Sequence, residues 1–247
     1  MMTSKHIKGL SLALDAELFN LDFRKWCVWE PVKAPHMIIV GSTGSGKTYF
    51  SKLLLGKVAL YAKQAEIYVF DFKGDTDFSF LSNCEHFFRF EKCTDGLDQF
   101  YKRFLDRQKN LSSERTMLLL FFDEWASYLN FLDKKIAEEE KRKLSNLLML
   151  GRSFNIHVII SQQRADAQYF STARDNFSVA IGLGNLSPES KDMLFHDYKN
   201  QMENTCRQGT GYMLTNGMDL KRIVVPTVTD MDKLHYTIRT AVNRHNT

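Results

Sequence analysis

The chain has 247 residues, 44% of them hydrophobic and 13% aromatic, with only 4 prolines, so a disordered or collagen-like chain is excluded and a sizeable core is affordable. Lys and Arg total 33 against 29 Asp and Glu, and the resulting net charge of +4 permits a nucleic-acid partner without demanding one. The longest apolar runs, such as Met117 to Phe122, are far shorter than the roughly 20 residues of a membrane-spanning helix.

Residues 1–34 lack a clear period and are expected to form an entry segment, with the main domain running over 35–247. From there short apolar runs alternate with longer helical stretches, the pattern of an α/β fold with a parallel sheet covered by helices. Strands are predicted at Met37–Val40, Glu66–Asp71, Leu118–Asp123, Ile156–Ser161 and Val179–Leu183, each nearly all apolar, as strands buried on both faces are. Helices are predicted over Lys47–Ala62, Asp95–Lys109 and Asp133–Phe154, the last starting as a charged solvated face and turning apolar at Leu144. Asn155 suits the left-handed position that ends this helix. Ser187 followed by Pro188 reads as a helix start, and so does Asp230 ahead of Met231, Leu234, Ile238 and Val242 on one face. Gly209–Leu214 and Lys221–Val225 form a predicted hairpin around Thr215-Asn216-Gly217.

Between the first of these strands and its helix lies Gly41-Ser42-Thr43-Gly44-Ser45-Gly46-Lys47-Thr48, a full match to the phosphate-binding pattern G-x-x-x-x-G-K-[ST] in the required strand–loop–helix setting. Its glycines let backbone N–H groups close on phosphate oxygens at the positive end of the helix dipole. Lys47 is expected to bridge the β- and γ-phosphates of ATP and Thr48 to complete Mg²⁺ coordination, with Tyr49 counted into the nucleotide site. The apolar strand ending in Asp123-Glu124 supplies the second half: Asp123 for the metal and Glu124 to polarise the attacking water. Such a pair belongs to an ATPase that hydrolyses with water.

Asp71-Phe72-Lys73-Gly74 fits the D-x-x-G pattern of GTPases, but no N-K-x-D segment exists to read guanine, and a small-molecule kinase does not need the glutamate after its metal-binding aspartate. Gln162 or Gln163, at the tip of the next strand, can sense the γ-phosphate or the lytic water. Arg152, ahead of that strand, can stabilise transition-state charge on a neighbouring subunit's nucleotide or simply form a surface ion pair. Trp29 can stack on adenine or belong to the core. The 4 cysteines form no C-x-x-C pair and the 7 histidines no H-E-x-x-H helix, so neither zinc nor a disulfide framework is indicated and a reducing cytoplasm fits.

With these residues in view the chain resembles the FtsK/HerA superfamily of DNA-pumping ATPases, and within it the FtsK/SpoIIIE-type translocase motor of conjugative coupling proteins. The resemblance runs through Pro35 to Thr48, Asp71-Phe72-Lys73, Gly151-Arg152 to His157, Ser161 to Arg164, and Gly211 to Leu214. It implies a RecA-like P-loop NTPase with a mostly parallel central sheet flanked by helices, working as a homo-hexameric ring with ATP and Mg²⁺ between subunits and DNA in the pore. It also implies Gln163 as the sensor and Arg152 as the trans-acting arginine, with Arg164 a rival. Asn155, Phe72 and Ala165 depart from the family pattern, where glycine, proline and proline are usual; these affect turns and leave the catalytic set intact.

Neither a membrane-spanning region nor a DNA-reading winged-helix module is recognisable, which suits a bare cytoplasmic motor recruited by a relaxase or membrane-anchor partner. Lys73, Arg164 and Arg174 are the cations expected to grip DNA phosphates, with Tyr169 and Phe170 either stacking on bases or packed against the sheet. A viral-type genome-packaging ATPase and an ATP-gated partner-docking module are the alternatives.

Overall fold

The computed structural model describes residues 9–110, 115–204 and 206–244. Its first strands are β1 (Leu10–Asp15) and β2 (Trp26–Trp29), with the short helix α1 (Ala16–Phe19) between them. β3 (Met37–Val40) leads into α2 (Lys47–Tyr61), and β4 (Glu66–Asp71) is followed by β5 (Phe87–Arg89) and α3 (Lys92–Lys109). β6 (Leu118–Asp123) is followed by α4 (Trp125–Phe131) and α5 (Lys134–Leu150), then by β7 (Ile156–Gln162) and β8 (Val179–Leu183). After α6 (Pro188–Leu194) come β9 (Thr210–Thr215), β10 (Asp219–Val224) and the last helix, α7 (Met231–Val242).

All strands join one ten-stranded sheet in the order β2-β1-β10-β9-β8-β3-β7-β6-β4-β5. From β8 to β5 the neighbours are parallel; β9, β10, β1 and β2 extend the sheet antiparallel. The part of 1–34 expected to be an entry segment thus supplies two strands at one edge of the sheet, while residues 1–8 lie outside the described residues. β1 pairs with β10 through Leu14 opposite Val224, so the segment is tied into the core rather than leading up to it.

Each parallel strand sends alternate side chains to opposite faces, which splits the core into two clusters. Met37, Ile39, Ile67 and Val69 face α2 and α7, where Val58 and Ile238 are buried. Ile38, Val40, Tyr68 and Phe70 face α3, α4 and α5, meeting Phe100, Trp125 and Leu147. α3 starts three residues before its predicted Asp95 and buries Cys93, Gly96, Leu97, Phe100 and Phe104 along one stripe. The long helix predicted to Phe154 ends as an α-helix at Leu150 and tightens into a 3₁₀ turn over Gly151–Phe154. Asn155 closes it in the left-handed region, at φ 53°. The hairpin turn carries Asn216 and Gly217 at φ 51° and 68°, the geometry that a two-residue turn between twisted strands requires.

Two buried histidines fasten β3 to β7 at the amino edge of the sheet. His36 Nδ1 accepts a hydrogen bond from the Val158 N–H at 3.1 Å, so that ring is neutral with its proton on the other nitrogen. His157 sits between the Pro35 carbonyl at 3.1 Å and Asn155 Oδ1 at 2.9 Å. Burial, reinforced by His157, pushes His36 down to about 3, and burial pushes His157 down to about 4, against an ordinary 6.5. Between roughly pH 6.5 and 4 these two rings therefore bind more protons in the unfolded chain than in the folded one, and their contribution to stability falls as pH is lowered through that window, while the raised carboxyl of Asp123 acts in the opposite sense. Denaturant unfolding at stepped pH should show the parent losing about 2 kcal/mol more stability than a His157→Gln variant between pH 7 and 4.5. Equal slopes for the two proteins would show that His157 is not held neutral by the fold.

Candidate active site

The loop Gly41–Gly46 leaves β3 and enters α2 through two left-handed residues, Gly44 at φ 80° and Gly46 at φ 102°. A Cβ on Gly41 would lie 2.3 Å from the Leu183 carbonyl oxygen and 2.6 Å from Ser45 Oγ, so only glycine lets the loop close onto the end of β8. On its other side the Gly209 N–H donates to the Ser45 carbonyl at 3.0 Å. No side chain caps α2, which leaves its first N–H groups directed at the loop's concavity. Lys47 Nζ donates to the Gly41 carbonyl at 2.6 Å and to that of Ser42 at 3.3 Å. Burial lowers its pKa, while the nearby Glu124 and Asp123 carboxylates act in the opposite sense. Thr48 is half-buried beside it. The Tyr49 hydroxyl accepts from the Val228 N–H and reaches the Pro226 carbonyl at 3.4 Å, which braces the first turn of α2 against the segment after β10.

Strand register sets the remaining groups beside the loop. Val40 pairs with Gln162, Ser161 with Asp123, and Asp123 with Asp71, so four strand ends lie side by side at the carboxyl edge, about 4.8 Å apart. Asp123 is buried, and desolvation pushes its carboxyl up to about 7, the nearby Ser161 hydroxyl acting in the opposite sense. Glu124 turns the chain from β6 into α4 at φ 62°, an uncommon conformation for a non-glycine residue, while its N–H donates to the Ser161 carbonyl at 2.7 Å. Burial raises the pKa of its carboxyl, and Lys47 and then the neighbouring Gln163 side chain and backbone draw it back. Gln162 is fully buried and its side-chain amide donates to the Arg164 carbonyl at 2.7 Å. Of the two glutamines left open by the sequence, Gln163 is therefore the one in contact with Glu124.

The arginines separate. Arg152 is exposed on the 3₁₀ turn ahead of β7, at the sheet edge opposite its own phosphate-binding loop. It lines a cleft of about 710 Å³ with Lys33, Arg174, His196 and Asn216. Arg164 follows β7 on the loop's own edge and pairs with Glu189 at 2.9 Å. Arg174 lies ahead of β8, its Nε 3.6 Å from Asp175, and Lys73 pairs with Asp75 at 2.6 Å beyond β4. The three cations nominated for DNA thus do not share one surface. Phe170 is buried edge-on against Phe177, and the Tyr169 hydroxyl bonds Asn130 at 2.9 Å, so both aromatics are packed rather than presented as a stacking pair. Trp29 is wholly buried and donates to the Ala34 carbonyl at 2.7 Å, which assigns it to the core and not to an adenine platform.

The sequence profile of the FtsK/SpoIIIE family matches residues 14–215. This chain belongs to that family. It is 29% identical over 221 residues to the FtsK domain-containing protein YdcQ of Bacillus subtilis, covering 80% of this chain and 44% of YdcQ, so it spans less than half of that relative. Among solved structures, the pCW3 conjugation coupling protein TcpA with ATPγS superposes with a TM-score of 0.73 at 19% identity, over 97% of this chain and 72% of that one. The cytoplasmic domain of the type VII secretion ATPase EccC from Thermomonospora curvata gives 0.71 at 18% identity, over 100% of this chain and 32% of that one. The FtsK/SpoIIIE member described here is accordingly a P-loop ATPase with a large, mostly parallel sheet, and no helix among its described residues is long and apolar enough to cross a membrane.

The donors present fit a magnesium nucleotide. The glycine-floored concavity, uncapped helix start and Lys47 ammonium match phosphate oxygens, and the Thr48 hydroxyl with the Asp123 carboxylate is the sparse protein share that Mg²⁺ takes when phosphates and water supply the rest. No cluster of three or more His, Cys, Asp or Glu side chains suited to a self-contained metal cage occurs among the described residues. Because Gly41 is seated against backbone, Gly41→Ala should lift the loop off β8 and weaken ADP binding at least about tenfold, with a stability loss of about 1–3 kcal/mol. Calorimetric titration with MgADP beside thermal melts checks this, and unchanged ADP affinity would contradict the close seating.

Proposed function

We propose that this ATPase is a DNA-translocating motor of the conjugative or mobile-element type, hydrolysing ATP at the subunit interfaces of a homo-hexameric ring. The observation that carries the reading is the exposure of Arg152 on the sheet edge opposite its own Lys47, where it can complete only a neighbour's site. A chain of this length has a radius of gyration of about 18 Å, so one copy does not surround a duplex and several must share the task.

Within one subunit the loop N–H groups and Lys47 hold the phosphates, while Thr48 and Asp123 hold Mg²⁺. The ion, when bound, neutralises charge on the β- and γ-phosphates. Glu124, oriented by Gln163, takes a proton from the attacking water, a role suited to a carboxylate whose basicity burial has raised. The neighbour's Arg152 faces the charge that develops on the transferred phosphoryl group, an effect worth on the order of 10³ to 10⁵ in rate where such arginines operate. DNA would be held by phosphate-directed cations, with Arg164 exposed on the loop's own edge and Arg174 exposed at the opposite edge as candidates on two separate surfaces. The likeness to a conjugation coupling protein supports a cytoplasmic motor that receives its DNA from a relaxase or membrane-anchor partner.

Lys47→Ala and Arg152→Ala should each abolish DNA-stimulated hydrolysis, and Glu124→Gln should slow it by about 10² to 10⁴-fold while nucleotide still binds. Mixing Lys47→Ala with Arg152→Ala subunits is the decisive measurement. In a randomly mixed ring about a quarter of interfaces join an intact loop to an intact arginine, so activity should return to a comparable fraction. A mixture as inactive as its components would sink the trans assignment; hydrolysis indifferent to single- and double-stranded DNA alike would sink DNA as the substrate.

A further inference from the structure

β4 ends at Asp71 in register with Asp123, and the Phe72 N–H donates to the Asp123 carbonyl at 3.4 Å. Lys73 therefore leaves the sheet one strand beyond the Asp123-Glu124 pair, on the edge that carries the phosphate-binding loop. The backbone that presents it is braced. Asp71 Oδ1 accepts from the Gly74 N–H at 2.9 Å, Gly74 turns at φ 66°, and the Arg89 guanidinium donates to the Gly74 carbonyl and, at 3.1 Å, to that of Asp75. The Asp77 N–H also donates to Asp75 Oδ1 at 2.8 Å, which fixes the Asp75 side chain.

The ammonium of Lys73 is, by contrast, held only by its ion pair with Asp75 Oδ2 at 2.6 Å, and the lysine is 52% exposed. An exposed pair of this kind is worth about 0–1 kcal/mol and exchanges readily for a stronger anion. Lys73 is close enough to Lys47, Asp123 and Glu124 for its charge to act on the first and last of these and for Asp123 to act on it. A triphosphate placed against Lys47 would put its terminal phosphate among the same groups, and a diphosphate would not.

We infer that Lys73 is a second phosphate-directed cation of the same subunit, which leaves Asp75 for the terminal phosphate of a bound nucleoside triphosphate, Asp75 being its counter-ion in the unliganded site. The inference rests on the nucleotide reading above and moves Lys73 from the DNA surface to the nucleotide edge. It makes Lys73, two residues beyond β4, a discriminator between triphosphate and diphosphate, with Lys47 serving both.

Calorimetric titration of the full chain with Mg²⁺ and either ADP or ATPγS tests it. Lys73→Ala should weaken ATPγS at least about tenfold and leave ADP within about twofold, and Lys73→Arg should restore most of the difference. Asp75→Asn should act in the opposite direction, tightening ATPγS alone by about two- to fivefold, and it remains informative if Lys73→Ala does not fold. DNA affinity without nucleotide should be the same for Lys73→Ala and the parent. Equal losses of ADP and ATPγS, a loss confined to DNA binding, or an Asp75→Asn variant with the parent's preference each overturn the inference while leaving the nucleotide reading intact. A parent that binds neither nucleotide overturns both.

Discussion

In-register parallel pairing of β3, β7, β6 and β4 is the constraint on which the candidate site depends. Because side chains alternate with a period of two, a slip of one residue in any pair would send a buried strand's whole set to the wrong face and displace its last residue along the edge. The apolar side chains of both core clusters fix that register: Ile38 and Ile160 belong to one layer, Ile39 and Ile159 to the other, and neither layer tolerates exchange. The phosphate-binding loop, Gln163, Asp123-Glu124 and Lys73 thus emerge in a row as a consequence of hydrophobic burial several residues earlier in each strand. Local turns then aim them. Glu124 takes up a left-handed backbone, and Gly41 permits contact with the Leu183 carbonyl.

The same burial that fixes the register sets the electrostatics. Asp123 and Glu124 are each 8% exposed and lie in sequence, so their ionised forms are opposed by desolvation and by one another. Lys47 is the nearest compensating charge and is itself penalised by burial. The cluster is left short of positive charge near the carboxylates, which favours a cation there, and short of negative charge at the loop, which favours an anion. A magnesium phosphate answers both demands at once, and this complementarity is a physical reason for the residue types that is independent of any resemblance.

Much of this was readable from the sequence, and what was not readable has definite causes. The strands β3, β4, β6, β7 and β8 are continuous apolar runs because they are covered on both faces, and the loop between β3 and α2 has a pattern that admits little else. β2 leaves little signal in the sequence because it is a four-residue edge strand with alternating exposure, and β5 because it has three residues. α4 was hidden by its brevity and by starting directly on Glu124, whose conformation no propensity would suggest. Motif spacing located Gln162 and Gln163 equally well, and only the alternation of the last strand residues separates the buried one from the one that meets Glu124. The dispersal of Lys73, Arg164 and Arg174 was unreadable for a simpler reason. Charge identifies a cation, whereas topology decides which edge of the sheet it occupies.

Topology also explains how two edges of one sheet can belong to one device. α4 starts just after Glu124 on the loop's edge, and its Tyr128 hydroxyl bonds Thr94 of α3 at 3.0 Å and faces the buried Glu140 carboxyl of α5. Glu140 is held in turn by Lys143 at 2.6 Å. α5 then runs on through Leu144, Leu147 and Leu148 in the core to the turn that presents Arg152 at the opposite edge. Glu124, proposed to act on its own subunit's water, and Arg152, proposed to reach a neighbour's nucleotide, therefore sit at the two ends of a single packed layer. Close-packed interiors transmit displacement instead of absorbing it. Trp125, Tyr128 and Leu147 are buried together in the cluster that lies between Glu124 and the turn at Gly151–Phe154, where the α-helix gives way to 3₁₀ hydrogen bonding.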